Sequence, residues 1–180
     1  MEEKKRHRPP RLKEYDYTSP GYYFVTFNTR MRNQDVLCVL EEEKEDAPPR
    51  AAGPTGGTGP TPPSVAPAAF GGPAGPLTRA GIILNELVQN IDRVYPAVHM
   101  DTYVIMPDHV HLLLAFYETS QPRPSLGNII NTLKSLTTKR LGYSIWQDEF
   151  YDHIIRNQTD LEETRRYIVN NPLKRMNSNG

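Results

Sequence analysis

The chain has 180 residues, which suits a single domain with a buried core. Its formal net charge is zero, and its single cysteine, Cys38, excludes an internal disulfide framework and favours a reducing compartment. The chain contains no run of about 20 apolar residues that would span a bilayer. These features predict a cytoplasmic protein with no membrane contact.

Composition divides the chain into a tail, a domain and an insertion. We expect residues 1–20 to form a basic flexible arm and residues 21–180 to form one domain, interrupted at 41–76 by an acidic run and then a Pro/Gly/Ala-rich tract. Such a tract buries too little apolar area to offset its ordering entropy, which predicts disorder. Without 41–76 the chain has 19 basic and 16 acidic residues, a net charge of +3. That balance permits contact with nucleic acid without requiring it.

Hydrophobic periodicity predicts strands and helices in alternation. In chain order these are a strand at Tyr22–Asn28, a short edge strand at Val36–Leu40, a helix at Leu77–Tyr95 capped by Thr78, strands at Val98–Met106 and His109–Phe116, a helix from Ser125 to about Gly142, a strand at Asp152–Arg156, and a final helix. Thr159 and Glu162 match a capping box for that last helix, which should end before Pro172. The order predicts an α+β fold: a ferredoxin-like antiparallel sheet with helices on one face, plus a C-terminal helix.

Two histidines lie at the start of a predicted strand, in the sequence Pro-Asp-His-Val-His. Because strand side chains alternate between faces, His109 and His111 share a face. They could be unliganded residues at a polar sheet edge, since histidine is only intermediate in burial. Metal binding is favoured because two unpaired imidazoles in an apolar run would be costly. Imidazoles bind Zn, Mn, Co and Ni, and an added oxygen ligand would admit Mg or Mn.

The final helix carries Tyr167 and Asn171, four residues apart and therefore on one face. Each has an ordinary interpretation, Tyr167 as a core residue with its hydroxyl at the rim and Asn171 as a helix-ending residue before a proline. If the histidine strand packs under this helix, two imidazoles, an amide and a phenol converge. That set of groups suits attack on a phosphodiester.

Several segments, in order, resemble those of the one-tyrosine HUH transposases, particularly the REP-associated branch. They are Tyr22-Tyr-Phe-Val-Thr-Phe, Val104-Ile-Met-Pro-Asp-His-Val-His-Leu-Leu, Ile145-Trp-Gln, Asp152-His-Ile-Ile-Arg and Tyr167-Ile-Val-Asn-Asn-Pro-Leu-Lys. The resemblance implies the HUH endonuclease fold and a divalent-metal-dependent enzyme that nicks and joins single-stranded or hairpin DNA. It also implies a 5′-phosphotyrosine intermediate and a free 3′-hydroxyl.

Carried over residue by residue, the resemblance implies that Tyr167 is the nucleophile. It implies that His109, His111 and Asn171 bind the ion, Mg or Mn. The chain departs from the family pattern at Asp108, where the family commonly has Asn, and in the long insertion. We also expect any segment that completes the site beyond Lys174 to be absent.

The basic residues of the predicted helices are candidate phosphate contacts, which would make binding salt-dependent. They are Lys134, Lys139, Arg140, Arg156, Arg165 and Arg166. Trp146 is a candidate stacking surface, although core packing is its commoner role. The chain is expected to act as a monomer or homodimer.

Two alternatives remain open at this point. The first is a catalytically inactive module that still binds DNA hairpins. The second is an unrelated His-x-His metallohydrolase in which water is the nucleophile; it would need further ligands, for which Asp101, Asp108 and His153 are the candidates.

Overall fold

The computed structural model describes residues 15–40, 70–119 and 122–176. In chain order they form β1 (Gly21–Thr29), β2 (Phe70–Pro73), α1 (Arg79–Gln89), α2 (Ile91–Val94), β3 (Val98–Ile105), β4 (His109–Phe116), α3 (Leu126–Leu141), β5 (Trp146–Ile155) and α4 (Gln158–Met176). The predicted α+β fold is confirmed. No helix in these ranges is long and apolar enough to cross a bilayer.

The five strands form one sheet in the order β2-β3-β4-β1-β5. β4 lies antiparallel between β3 and β1, and β1 pairs antiparallel with β5. The β3–β4 hairpin closes through a hydrogen bond from the Met106 N–H to the His109 carbonyl, 2.9 Å. Register between the two central strands places Thr26 opposite His111 and Asn28 opposite His109.

The two faces of the sheet have different partners. On one face Val25 and Leu112 belong to the main core together with Leu84 of α1 and Ile130 of α3. On the other face Leu113 belongs to a smaller cluster that includes residues of α4, namely Leu161 and Ile168, with Phe24 packed against it. Because side chains alternate along a strand, Thr26, His109 and His111 point toward this second face.

The prediction placed helices on one face of the sheet, and α1 and α3 are those helices. The C-terminal helix, α4, covers the opposite face. Their capping residues are those predicted: the Thr78 and Ser125 side chains accept hydrogen bonds from the N–H groups of Gly81 and Asn128. α3 ends at Gly142, whose φ of 88° is the left-handed conformation that glycine adopts without steric cost. The predicted Leu77–Tyr95 helix is divided at Asn90 into α1 and α2.

The insertion predicted at 41–76 is wrong at its C-terminal end, because Phe70–Pro73 forms β2, parallel to β3. Glycine and proline are rare in strands, so the composition indicated disorder instead. Gly71 permits the pairing, since a Cβ there would lie 2.0 Å from the Tyr103 carbonyl oxygen. Residues 41–69 and most of the predicted basic arm, 1–14, lie outside the described residues. The predicted edge strand at 36–40 is reduced to one bridge between Cys38 and Leu77.

Both predicted boundaries of the last helix are also wrong. α4 begins at Gln158, and the Asn157 side chain, in the capping role predicted for Thr159, accepts a hydrogen bond from the Asp160 N–H at 2.9 Å. At the other end α4 continues through Pro172 to Met176. A proline removes one helical hydrogen bond. The adjacent Asn171 is held by a tertiary contact with His111, which local propensity does not include.

Candidate active site

His111 is a buried side chain on the α4 face of the sheet, and both of its ring nitrogens have a polar partner. It is 4% exposed. Its Nδ1 lies 2.7 Å from the Thr26 hydroxyl, and its Nε2 lies 3.1 Å from Nδ2 of Asn171. Because the Asn171 amide donates to Nε2, Nδ1 carries the ring proton and donates it to Thr26. The Nε2 lone pair is thus directed toward α4.

His109 has the same tautomer for a different reason. Its Nδ1 lies 2.7 Å from a carboxylate oxygen of Asp108. An ionised carboxylate only accepts, so Nδ1 carries a proton, and Nε2 is the nitrogen that presents a lone pair when the ring is uncharged. The two imidazole centroids are 4.7 Å apart with their planes at 72°. The hairpin therefore presents two Nε2 atoms as possible metal ligands, and each ring is fixed through its Nδ1.

Asp108 is a positioning group, whereas the sequence indicated it only as a departure from the family pattern and as a candidate metal ligand. It is 7% exposed, and its second carboxylate oxygen accepts a hydrogen bond from the backbone N–H of Asn33 at 2.8 Å. Asn33 has a φ of 59°, in the left-handed region that asparagine tolerates better than most residues. The loop after β1 thus holds the carboxylate that orients His109.

α4 brings Tyr167 to the same place. Its ring centroid lies 5.3 Å from that of His111 and 5.9 Å from that of Phe24, and the residue is 41% exposed. Phe24 in turn stacks on His111, with centroids 5.4 Å apart. The structure therefore brings His109, His111, Tyr167 and Asn171 together, as the strand and helix spacing predicted.

The donor set suits a divalent ion with open coordination positions. Two imidazole nitrogens with hydrogen-bonded Nδ1 atoms are common metal ligands, and a half-turn of the Asn171 amide would present its oxygen. Among the described residues no group of three or more His, Cys, Asp and Glu side chains could hold a metal. In particular, the three residues considered as extra ligands for a metallohydrolase are engaged elsewhere: Asp101 with Arg165, Asp108 with His109, and His153 with Asp160.

Burial keeps His111 neutral. Desolvation, with a smaller contribution from His109, lowers its pKa from 6.5 to about 3. The unfolded chain therefore takes up a proton at this position as the pH falls below 6.5, whereas the folded chain does not. Stability contributed by the neutral ring is complete above the unfolded pKa and is lost as the pH falls toward the folded one.

We predict that acidification from pH 7 to pH 5 lowers the free energy of unfolding by about 2 kcal/mol through His111. Urea denaturation in the presence of EDTA, which leaves the rings uncoordinated, measures it. The variant His111→Gln, which keeps hydrogen-bonding groups without a titrating ring, should lose that part of the pH dependence. An unchanged pH profile in the variant would contradict the assignment.

The six predicted phosphate contacts occupy different surroundings. Lys134 is 8% exposed, and its ammonium donates to the carbonyls of Gln147, Asp148 and Glu149 at 2.9, 3.2 and 3.0 Å. Burial lowers its pKa. Lys134 therefore joins α3 to the start of β5, and it has no free ammonium for a phosphate.

The other five cations are at least partly exposed. Arg165 donates through two guanidinium nitrogens to the carboxylate of Asp101. A guanidinium nitrogen of Arg140 lies 3.0 Å from a carboxylate oxygen of Glu86. Lys139 and Arg140 end α3, which packs on the sheet face opposite the histidines. Arg156 and Arg166 are exposed at the start of α4 and beside Tyr167. Of the six cations, Arg165 and Arg166 lie on the helix that carries Tyr167, and Arg156 lies just before that helix. Trp146 is 2% exposed and belongs to the core.

We predict that Lys134→Met lowers the free energy of unfolding by about 2 kcal/mol, because three carbonyls lose a charged hydrogen-bond donor. Thermal or urea denaturation measures the loss. Lys139→Met, on the same helix but exposed, is the matched control and should change stability by less than about 0.5 kcal/mol. Equal stabilities of the two variants would show that the Lys134 contacts contribute nothing.

Comparison with known proteins identifies a solved structure with the same fold. No protein-family model matches the chain. An uncharacterized protein of Haemophilus influenzae is 23% identical over an alignment of 189 residues. The alignment covers 92% of this chain and 88% of that protein. A solved structure of a REP-associated tyrosine transposase bound to a REP hairpin superposes with a TM-score of 0.57 at 20% identity. The match covers 97% of this chain and 74% of that one.

This chain has the fold of a REP-associated tyrosine transposase. In this fold the β3–β4 hairpin includes the central strand of the sheet, and α4 packs on the face toward which both imidazoles point.

Proposed function

We propose that the protein is a metal-dependent endonuclease and strand transferase that acts on single-stranded or hairpin DNA through a tyrosine nucleophile. One observation carries the proposal. Two adjacent imidazoles present Nε2 lone pairs beneath a helix whose Tyr167 ring lies 5.3 Å from the nearer one. The shared fold with a transposase bound to a DNA hairpin supports the choice of substrate.

Four residues would hold and attack the scissile phosphate. His109 and His111, through Nε2, and Asn171, through its amide oxygen, would hold a divalent ion, Mg or Mn. When bound, such an ion neutralises charge on the phosphate oxygens. Asp108 and Thr26 keep the two rings in the required tautomer.

The covalent step involves Tyr167. Its phenolic oxygen forms a bond to phosphorus, the bond from phosphorus to the 3′-oxygen breaks, and that oxygen leaves as a 3′-hydroxyl after taking a proton. The phenol releases its own proton to solvent, to which Tyr167 is open. The product is a 5′-phosphotyrosine, whose phosphodiester bond is conserved. A second strand's 3′-hydroxyl reverses the step and joins the strands.

The test is incubation of the protein and Mn with a pool of hairpin-containing oligonucleotides, followed by denaturing electrophoresis. We expect a slower-migrating protein–DNA conjugate that EDTA prevents. DNA binding in a gel shift with no conjugate, under several divalent ions, would instead support an inactive binding module. Metal-dependent hydrolysis that survives the loss of Tyr167 would support water as the nucleophile.

We predict that Asp108→Ala weakens Mn binding by about 10- to 100-fold, because His109 loses the carboxylate that fixes its tautomer. Isothermal titration calorimetry with MnCl₂ measures it. Asp35→Ala changes an exposed carboxylate of the loop after β1, which also contains Asn33, and should leave the affinity unchanged.

The variant Asp108→Asn separates orientation from charge. Its amide oxygen can still accept from His109, but its amide nitrogen would then face the Asn33 N–H, donor against donor. We expect an intermediate affinity. If Asp108→Ala binds Mn as tightly as the unchanged protein, Asp108 does not position a metal ligand.

A further inference from the structure

A groove of about 320 Å³ lies beside Tyr167, on the side away from the paired histidines' hairpin turn, and no step proposed above uses it. Phe24, Tyr151 and His153 of β1 and β5 form its floor. One stripe of α4 forms its wall, at three- and four-residue steps: Asp160, Glu163, Thr164 and Tyr167. We propose that this groove binds one unpaired nucleobase next to the scissile phosphate. The inference rests on the proposed function, because it takes that phosphate to lie at the histidines.

The phenyl ring of Phe24 borders both the groove and the candidate active site. Phe24 stacks on His111 and also contacts Tyr151 and Tyr167, with centroid distances of 6.4 and 5.9 Å. Both of those contacts are edge-to-face, at 70° and 90°. The groove is therefore lined by three aromatic rings, those of Phe24, Tyr151 and the proposed nucleophile Tyr167. Aromatic rings stack on unpaired bases with little regard to sequence.

The charges of the lining favour a base over the sugar–phosphate backbone. The seven lining side chains include two carboxylates, Asp160 and Glu163, and no lysine or arginine. Both oxygens of Asp160 lie 3.0 Å from Nε2 of His153, whereas Glu163 is exposed. A phosphate would be repelled here. Carboxylates accept hydrogen bonds from exocyclic amino groups, as of cytosine, so bases with such groups are favoured over thymine.

Binding of short single strands tests the groove without cleavage. The probes are fluorescein-labelled dC, dA and dT homopolymers and an abasic strand of equal length, titrated in EDTA and followed by fluorescence anisotropy. We expect dC and dA to bind more tightly than dT and the abasic strand to bind most weakly. Tyr151→Ala should weaken dC and dA binding by about 10-fold and leave abasic binding unchanged.

Two variants serve as controls. Tyr151→Phe keeps the ring and should keep the affinity, while Tyr143→Ala removes a tyrosine that is 60% exposed outside the groove and should change nothing. Glu163→Gln alters an exposed residue that the fold does not depend on, and it should reduce the preference for dC over dT. This variant tests the groove even if Tyr151→Ala does not fold.

The outcomes separate this inference from the proposed function. Equal losses for abasic and base-bearing strands, or no loss at all in Tyr151→Ala together with an unchanged dC preference in Glu163→Gln, overturn the groove alone. Base-dependent binding without any covalent conjugate in Mn supports the groove and overturns the proposed chemistry. Failure to bind any of the strands overturns the groove, whereas the proposed chemistry is overturned only by the absence of a conjugate with hairpin DNA in Mn.

Discussion

Tyr167→Phe is expected to abolish the covalent protein–DNA conjugate, with a loss of at least about a thousandfold in its rate of formation. The substitution removes one oxygen atom and leaves the ring contacts with His111 and Phe24 in place. No other hydroxyl is proposed to attack phosphorus, so nothing compensates for the loss. Denaturing electrophoresis of labelled hairpin DNA in Mn measures conjugate formation.

Tyr143→Phe is the matched control for that experiment, because it removes the hydroxyl of an exposed tyrosine between α3 and β5. It should form conjugate at the unchanged rate. Gel-shift binding should be the same for both variants and the unchanged protein. Conjugate formation by Tyr167→Phe at full yield would refute the nucleophile assignment.

His109→Ala is expected to reduce cleavage by at least about 100-fold while hairpin binding remains largely intact. Loss of a group that only supports a metal ligand costs up to about 100-fold, and loss of a ligand itself should cost no less. His109 is a better choice than His111 because it is more exposed and lacks the Thr26 and Asn171 contacts that fix His111 in the structure. The buried Asp108 carboxylate keeps the Asn33 N–H but loses its His109 partner, so we expect stability to fall by about 1–3 kcal/mol, and folding of the variant is checked by thermal denaturation.

His99→Ala is the control imidazole. His99 lies at the other end of the same hairpin, opposite Ala115, and pairs with Asp92. Its loss should leave cleavage unchanged. The same assay in EDTA should resemble His109→Ala, and full activity in EDTA would remove the metal from the mechanism.

Much of the fold was predictable because its local signals agree with its tertiary contacts. The strand at Tyr22 and the hairpin at Pro107-Asp108 follow from apolar runs bounded by turn residues. Thr78 and Ser125 satisfy orphan N–H groups in the first turns of α1 and α3, and those contacts are purely local. In each case the interactions between residues close in sequence were sufficient to predict the element.

Prediction failed where a distant contact decides the local conformation. β2 exists because Gly71 lets its backbone approach Tyr103, which composition cannot reveal. α4 continues past its predicted end while Asn171 contacts His111, sixty residues away. Lys134 likewise binds three carbonyls of β5, which the sequence could not reveal. Its positive charge alone therefore suggested a phosphate contact.

That the candidate residues lie together could be predicted from the sequence, but the groups that orient them could not. Spacings of two on a strand and four on a helix placed the paired histidines, Tyr167 and Asn171 on shared faces. The groups that fix the imidazole tautomers could not be identified in the same way. Thr26 is set by strand register, and Asp108 is held by the N–H of Asn33 in a loop of left-handed conformation.

If Tyr167 is the nucleophile, its phenolic oxygen becomes bonded to the 5′-phosphate of the cleaved DNA. Protease digestion of the conjugate formed in Mn, followed by mass spectrometry of the DNA-bearing peptide, identifies the attached residue directly. We predict a phosphodiester link at Tyr167. Attachment at any of the nine other tyrosines, for example Tyr151 in the adjacent groove, would contradict it.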